Sequence, residues 1–120
     1  MGNKGNSHFL IKQRPFLKVF LLSELEKGQM YGLQLRDVIW DLFKIYGFRP
    51  DHTEIYRSLH ELTEEGYLKK FEEKVNGAKY KTVEVYKIAD IDKVKAYKKL
   101  VKADLDRSES LIKKAKNEIY

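Results

Sequence analysis

Few residues in this sequence could do covalent chemistry. The candidates are three histidines, His8, His52 and His60. His52 and His60 share one helical stretch about two turns apart, too far to hold a metal without further ligands. Cysteine is absent, so there is no thiol nucleophile, no thiolate metal site and no disulfide framework. No glycine-rich phosphate loop and no HExxH-type pair is present. The carboxylate pairs Glu64-Glu65 and Glu72-Glu73 sit beside lysines and read as solvated faces. The sequence therefore predicts neither an enzyme nor a bound metal or cofactor.

What remains is recognition chemistry. Thr53, Glu54, Arg57 and Ser58 occupy the outward face at the start of a predicted helix, directly after His52. These types read base edges in a major groove. Arginine grips guanine, glutamate accepts from the cytosine amino group, and threonine meets a base or a thymine methyl. Arg57 has an equally good alternative, an intrahelical pair with Glu54 or Glu61. The stretch is acidic overall, with Asp51, Glu54, Glu61, Glu64 and Glu65 against Arg57. Phosphate neutralisation must then come from its flanks. Lys4, Lys12, Arg14 and Lys18 lie upstream, and Lys69, Lys70, Lys74, Lys79 and Lys81 downstream. Basic groups bracketing a polar reading helix match the division in which phosphates position and bases specify.

The elements that must place these groups follow from spacing. Residues 1–8, rich in Gly and Asn, read as a flexible arm. Phe9, Phe16, Leu17, Phe20, Leu21 and Leu25 recur at helical spacing, with Pro15 either near the helix start or at a kink. Leu33, Leu35, Val38, Ile39, Leu42, Phe43 and Tyr46 form a second stripe, stopped by Gly47. Tyr31, just before it, reads as a core residue rather than a phosphate contact. A third helix starts after Pro50, capped by Asp51 or Thr53. It buries Ile55, Leu59 and Leu62 with Tyr56 beside them, and ends at Gly66. The period then becomes two over Tyr67–Lys74 and Tyr80–Ile88, joined through Asn76-Gly77, a strong hairpin signal.

Helix, helix, helix, hairpin is the wiring of a winged helix, an α+β fold with a three-helix helix-turn-helix core and a β-hairpin wing. It spans residues 9–89. Residues 90–120 follow as one unbroken helix. Its apolar positions Val94, Tyr97, Val101, Leu105, Ile112 and Ala115 predict a homodimer seam, with Leu111 and Ile119 on the same stripe.

Composition agrees with this class. The chain has 120 residues, enough for one domain. Its formal charge of +6 favours a polyanionic partner. No apolar run approaches a membrane span, and no signal peptide or myristoylation motif is present, Asn6 standing where the latter needs Ser or Thr. A cytoplasmic, nucleoid-associated protein is expected, with no membrane partner.

The string from His52 to Leu62 resembles the recognition helix of the bacterial replication terminator proteins. So do Lys12-Gln13-Arg14 with Phe16-Leu17-Lys18, Tyr31-Gly32-Leu33, Gly47-Phe48, Gly77-Ala78-Lys79, Tyr97-Lys98-Lys99 and Asp104-Leu105-Asp106-Arg107. The resemblance covers nearly the whole chain. It implies a homodimer joined by the last helix, cooperative binding of two dimers to adjacent half-sites of a terminator, and polar arrest of the replicative helicase. It assigns DNA contacts to Lys12, Arg14, Thr53, Glu54, Arg57 and the wing lysines; His52, Lys18, Ser58, Lys69, Lys74 and Lys79 complete the candidate set. It also places a helicase-facing patch before Tyr31, where Gly28 stands in place of an acidic residue. Glu72 and Glu73 make the wing less basic than the family pattern. A second resemblance, to the PadR-like repressors, rests on the Tyr-Gly opening of the second helix, the reading helix and the C-terminal helix. It lacks the Arg-Lys-Tyr-Tyr and Leu-Thr pattern expected after the wing. An interaction module whose basic surface serves only solubility is the third alternative.

Overall fold

Pro15 fixes where the first helix can begin. In the computed structural model, which describes residues 9–75 and 81–120, helix α1 spans Gln13–Glu26 and holds Pro15 in its opening turn. There the missing N–H has no intrahelical acceptor to lose, so the helix runs on without a kink. A two-residue strand β1 (Met30–Tyr31) follows, then α2 (Gly32–Phe43) and a 3-10 turn (Lys44–Tyr46). Gly47, at φ 71°, ends that turn in the left-handed region. Helix α3 (His52–Glu64) starts after Asp51, whose side chain makes no capping hydrogen bond. Strands β2 (Leu68–Lys74) and β3 (Thr82–Ile88) and helix α4 (Ile91–Ile119) complete the chain. The expected arm over residues 1–8, the Asn76-Gly77 turn, Lys79 and the Tyr80 strand start lie outside the described residues.

The core forms where the helical stripes meet. Leu17, Leu21, Leu22 and Leu25 of α1 pack with Leu35, Ile39 and Phe43 of α2 and Ile55, Leu59 and Leu62 of α3. Each fully buried side chain of this kind contributes about 1.5–3 kcal/mol. Phe16, Phe20, Phe43 and Phe48 extend the core as an aromatic cluster, with Phe20 and Phe43 edge to face at 4.8 Å. The α2 stripe is narrower than its sequence implies. Leu35, Ile39 and Phe43 are buried, whereas Leu33, Leu42 and Tyr46 face solvent.

The sheet is antiparallel, in the order β1-β3-β2. β2 and β3 pair from Leu68↔Ile88 to Lys74↔Thr82, and β1 adds Met30↔Tyr86 and Tyr31↔Val85. This third strand is too short for a period of two to reveal it. The pairing leaves the Tyr31 side chain 42% exposed, against the expectation of a core residue.

Helix α4 has the predicted length, and its burial changes along it. Val94 and Val101 are buried within the chain, and Tyr97 packs on Tyr67 with ring centroids 5.3 Å apart. Burial pushes the Tyr97 hydroxyl up to about 12. Lys98 pairs with Glu26 of α1. The Ile11 N–H donates to Ser108 Oγ at 2.7 Å, and Arg107 donates to the Phe9 carbonyl at 2.6 Å. Val94 and Val101 are therefore buried within this chain, and Tyr97 is partly buried against its core. A stripe at spacing three and four marks a buried face without naming what buries it. Leu105 is half-buried near Phe20, and only beyond Ser108 does the stripe, with Ile112 and Ala115, lie open.

Candidate nucleic-acid interface

α3 lies in the core along Ile55, Ser58, Leu59 and Leu62, an i, i+3, i+4, i+7 arc. Ser58 thus belongs to the inner face, contrary to the sequence reading. Its hydroxyl is satisfied by donating to the Glu54 carbonyl at 2.9 Å. Tyr56 is half-buried against the start of α2. A Cβ on Gly32 would lie 2.5 Å from Tyr56 Oη, so glycine permits this close approach.

The acidic side of α3 is occupied by α1. Arg14 grips Glu54 through Nε and Nη2, the latter 3.0 Å from Oε1, and reaches Glu61 through Nη1 at 2.5 Å. Lys18 Nζ lies 2.8 Å from Glu61 and 3.6 Å from Glu65, and the residue is buried. Arg14 and Lys18 were expected at phosphates. The geometry instead uses them to neutralise the carboxylates that would otherwise repel a polyanion. The Arg14 hydrogen bonds hold the Glu54 carboxyl below its usual range, and the Lys18 hydrogen bond does the same for Glu61.

Arg14→Ala is therefore expected to cost about 1–2 kcal/mol at neutral pH, a charged hydrogen bond discounted for partial solvent access. Both carboxyls have folded values below their unfolded ones. Their contribution is complete above about pH 4.3 and is lost as pH falls through the folded values. Urea denaturation from pH 7 to pH 3 should show the gap between wild type and variant closing on the acid side. An equal gap at both ends would mean that Arg14 acts by packing alone.

With Glu54 and Glu61 engaged by Arg14, Arg57 has no hydrogen-bond or ion-pair partner among the described residues, and it is exposed. Thr53 is exposed beside it. His52 stacks on Tyr56 at 4.6 Å, and His60 pairs with Glu64 at 3.2 Å. On one side Lys12 is exposed; on the sheet Lys69, Lys74 and Lys87 are exposed, as is Lys81 just before β3, while Lys70 is paired with Glu84 at 3.1 Å. Lys69 and Lys87 stand opposite each other, a local concentration of positive charge. Among the described residues, no group of three His, Asp or Glu converges to hold a metal ion, and no helix is long and apolar enough to cross a membrane.

This arrangement has relatives. The sequence pattern of the family described as replication terminator protein matches residues 8–120. The chain belongs to the replication terminator protein family. It is 46% identical over 112 residues to the replication termination protein of Bacillus subtilis strain 168, covering 93% of this chain and 92% of that one. The same figures hold for the replication termination protein of Bacillus vallismortis. Solved winged-helix regulators share the fold. A transcriptional regulator from Clostridium thermocellum superposes with a TM-score of 0.65 at 23% identity, over 84% of this chain and 93% of that one. Bacillus subtilis PadR, solved in complex with operator DNA, superposes with a TM-score of 0.54 at 26% identity, over 72% of this chain and 47% of that one.

Within this terminator-family chain Lys12, His52, Thr53, Arg57 and the lysines Lys69, Lys74 and Lys87 of the sheet are exposed, whereas Arg14, Lys18, Glu54 and Ser58 are engaged in interhelical or intrahelical bonds. Lys79 lies outside the described residues. Sequence reasoning missed a cluster at the entrance to α3. The guanidinium carbons of Arg49 and Arg36 lie 3.9 Å and 4.5 Å from the Trp40 ring centroid. The Trp40 Nε1–H donates to the Pro50 carbonyl at 2.7 Å. Trp40 breaks the apolar spacing of α2, which was the one available signal.

Proposed function

We propose that this chain is a homodimeric, sequence-specific duplex-DNA-binding replication terminator. In this reading two dimers assemble cooperatively on adjacent half-sites, and the complex blocks the replicative helicase from one side only. The carrying observation is the exposed Arg57, which has no hydrogen bond or ion pair among the described residues, beside Thr53 at the start of α3, with Lys12 and the sheet lysines as exposed basic flanks. The first turns of α3 enter the major groove, and the basic flanks meet phosphates and the adjacent minor groove. Arg14 and Lys18 act one step back, by cancelling the negative charge of α3. Membership of the terminator family supports the cellular role, in a cytoplasmic, nucleoid-associated setting.

Neutralising about six to ten phosphates per dimer predicts a log–log salt slope on the order of −5 to −9. A flat slope on a selected duplex would remove DNA binding from consideration. The role itself is tested by strand displacement. The protein is bound to a selected duplex and the replicative helicase is loaded from either side. Arrest from one side supports the terminator and shows that Gly28 in the loop before Tyr31 is tolerated. Free passage from both sides, with tight binding intact, favours the second reading, a PadR-like repressor, for which the likeness to PadR is the supporting observation.

A further inference from the structure

Arg49 differs from the two cations nearest it around Trp40, Arg36 and Lys44. Arg36 donates from Nε and Nη2 to Asp37, at 3.1 Å and 2.9 Å, and its Nη1 lies 3.4 Å from His52 Nδ1. Lys44 pairs with Asp41 at 3.1 Å. Arg49 is exposed and has no carboxylate partner among the described residues; its neighbour is the Trp40 ring, 3.9 Å from the guanidinium carbon. A guanidinium resting on an indole is favoured by the ring quadrupole and loses little freedom when it then meets an anion, because its plane is already fixed. A cleft of about 340 Å³ lined by Asp37, Trp40, Asp41, Lys44 and Arg49 opens beside it.

The position matters as much as the chemistry. Trp40 is tied to the Pro50 carbonyl, and Arg36 to His52, the first residue of α3. The cluster is thus fastened to the end of α3 that carries Thr53 and Arg57. We propose that Arg49, stacked on Trp40, is a phosphate-binding residue that clamps the DNA backbone beside the bases read by α3. The proposal rests on the DNA-binding reading above and adds a residue to it. The planar fork suits two phosphate oxygens at once, and the indole holds it ready. Arg36 is a positioning residue here, since its charge is already shared with Asp37.

The test uses the full-length protein and a selected duplex beside a random one. Arg49→Gln should weaken binding by the same factor on both and reduce the magnitude of the salt slope by about 1. Replacing single phosphates by uncharged methylphosphonates should reveal one position per half-site that weakens wild type but costs Arg49→Gln nothing further. A second measurement needs no variant. Phenylglyoxal should modify Arg49 in the free protein, and bound duplex should protect it. Arg49→Gln with an unchanged slope, no coupled methylphosphonate position, or Arg49 equally reactive with and without duplex would each overturn the clamp while wild-type binding stands. A wild type that binds neither duplex overturns the DNA-binding reading itself, and the clamp with it.

Discussion

Replacing Leu111 and Ile112 together by glutamate is expected to turn the protein into a folded monomer and to lower its affinity for a two-half-site duplex by about 10²- to 10⁴-fold, the avidity that linked half-sites provide. The reason lies in how α4 divides. Up to Ser108 its inner positions pack within the chain, on Tyr67, α1 and the segment 9–11. Beyond it Leu111, Ile112 and Ile119 are 39%, 47% and 70% exposed. Leu111, Ile112 and Ala115 also line an apolar recess with Phe9 and Leu10. Elsewhere on this half Lys113 pairs with Glu109 at 3.7 Å and Lys114 with Glu118 at 2.5 Å. An apolar strip with a polar border fits a second copy of the same helix better than it fits solvent. The double variant leaves the buried contacts of Val94 and Val101 untouched, so circular dichroism and the melting cooperativity should be retained while light scattering reports half the mass. A dimer that survives both glutamates would show that the seam lies elsewhere. Val101→Glu would not make this distinction, because Val101 is 4% exposed and its substitution attacks the core.

The parts of the fold that were legible in the sequence are those set by local chemistry. Pro15 in an opening turn, Gly47 and Gly66 at positive φ, and the change of period after Gly66 each act on their own few residues, and the structure places them as those rules require. The unbroken run from Ile91 to Ile119 is α4 in full. The parts that were not legible depend on what lies across a gap. The Arg14–Glu54 pair joins residues 40 positions apart, so the local sequence gave Arg14 to phosphate and Glu54 to a base. Ser58 looks outward by residue type, yet it sits within the buried arc of α3. Spacing alone makes the α4 stripe a single seam, because it carries no record of which surface covers it. Strand β1 has only two residues and owes its existence to β3. The cluster of Arg36, Trp40 and Arg49 appears only when the turn after α2 folds back along it.

Arg57→Ala is expected to cost about 1–3 kcal/mol on the specific duplex and far less on random DNA, the loss of a base contact rather than of a phosphate contact. Equal losses on both would make Arg57 a backbone contact. Arg57 is available for a base only because its helical neighbours are not. Glu54 and Glu61, three residues before and four after, have the spacing to hold it. Both instead accept from Arg14, and Glu61 also from Lys18. Arg14 thus influences specificity without touching a base. Removing it frees Glu54 to compete for Arg57, so Arg14→Ala should also lose discrimination between specific and random duplex. The two effects should not add. Once Arg57 is alanine, releasing Glu54 has no guanidinium left to capture, and the double variant Arg14→Ala/Arg57→Ala should lose less discrimination than the sum of the single losses. Strict additivity would mean that Arg14 acts on discrimination independently of Arg57, and unchanged discrimination in Arg14→Ala would leave Arg14 with a role in stability only.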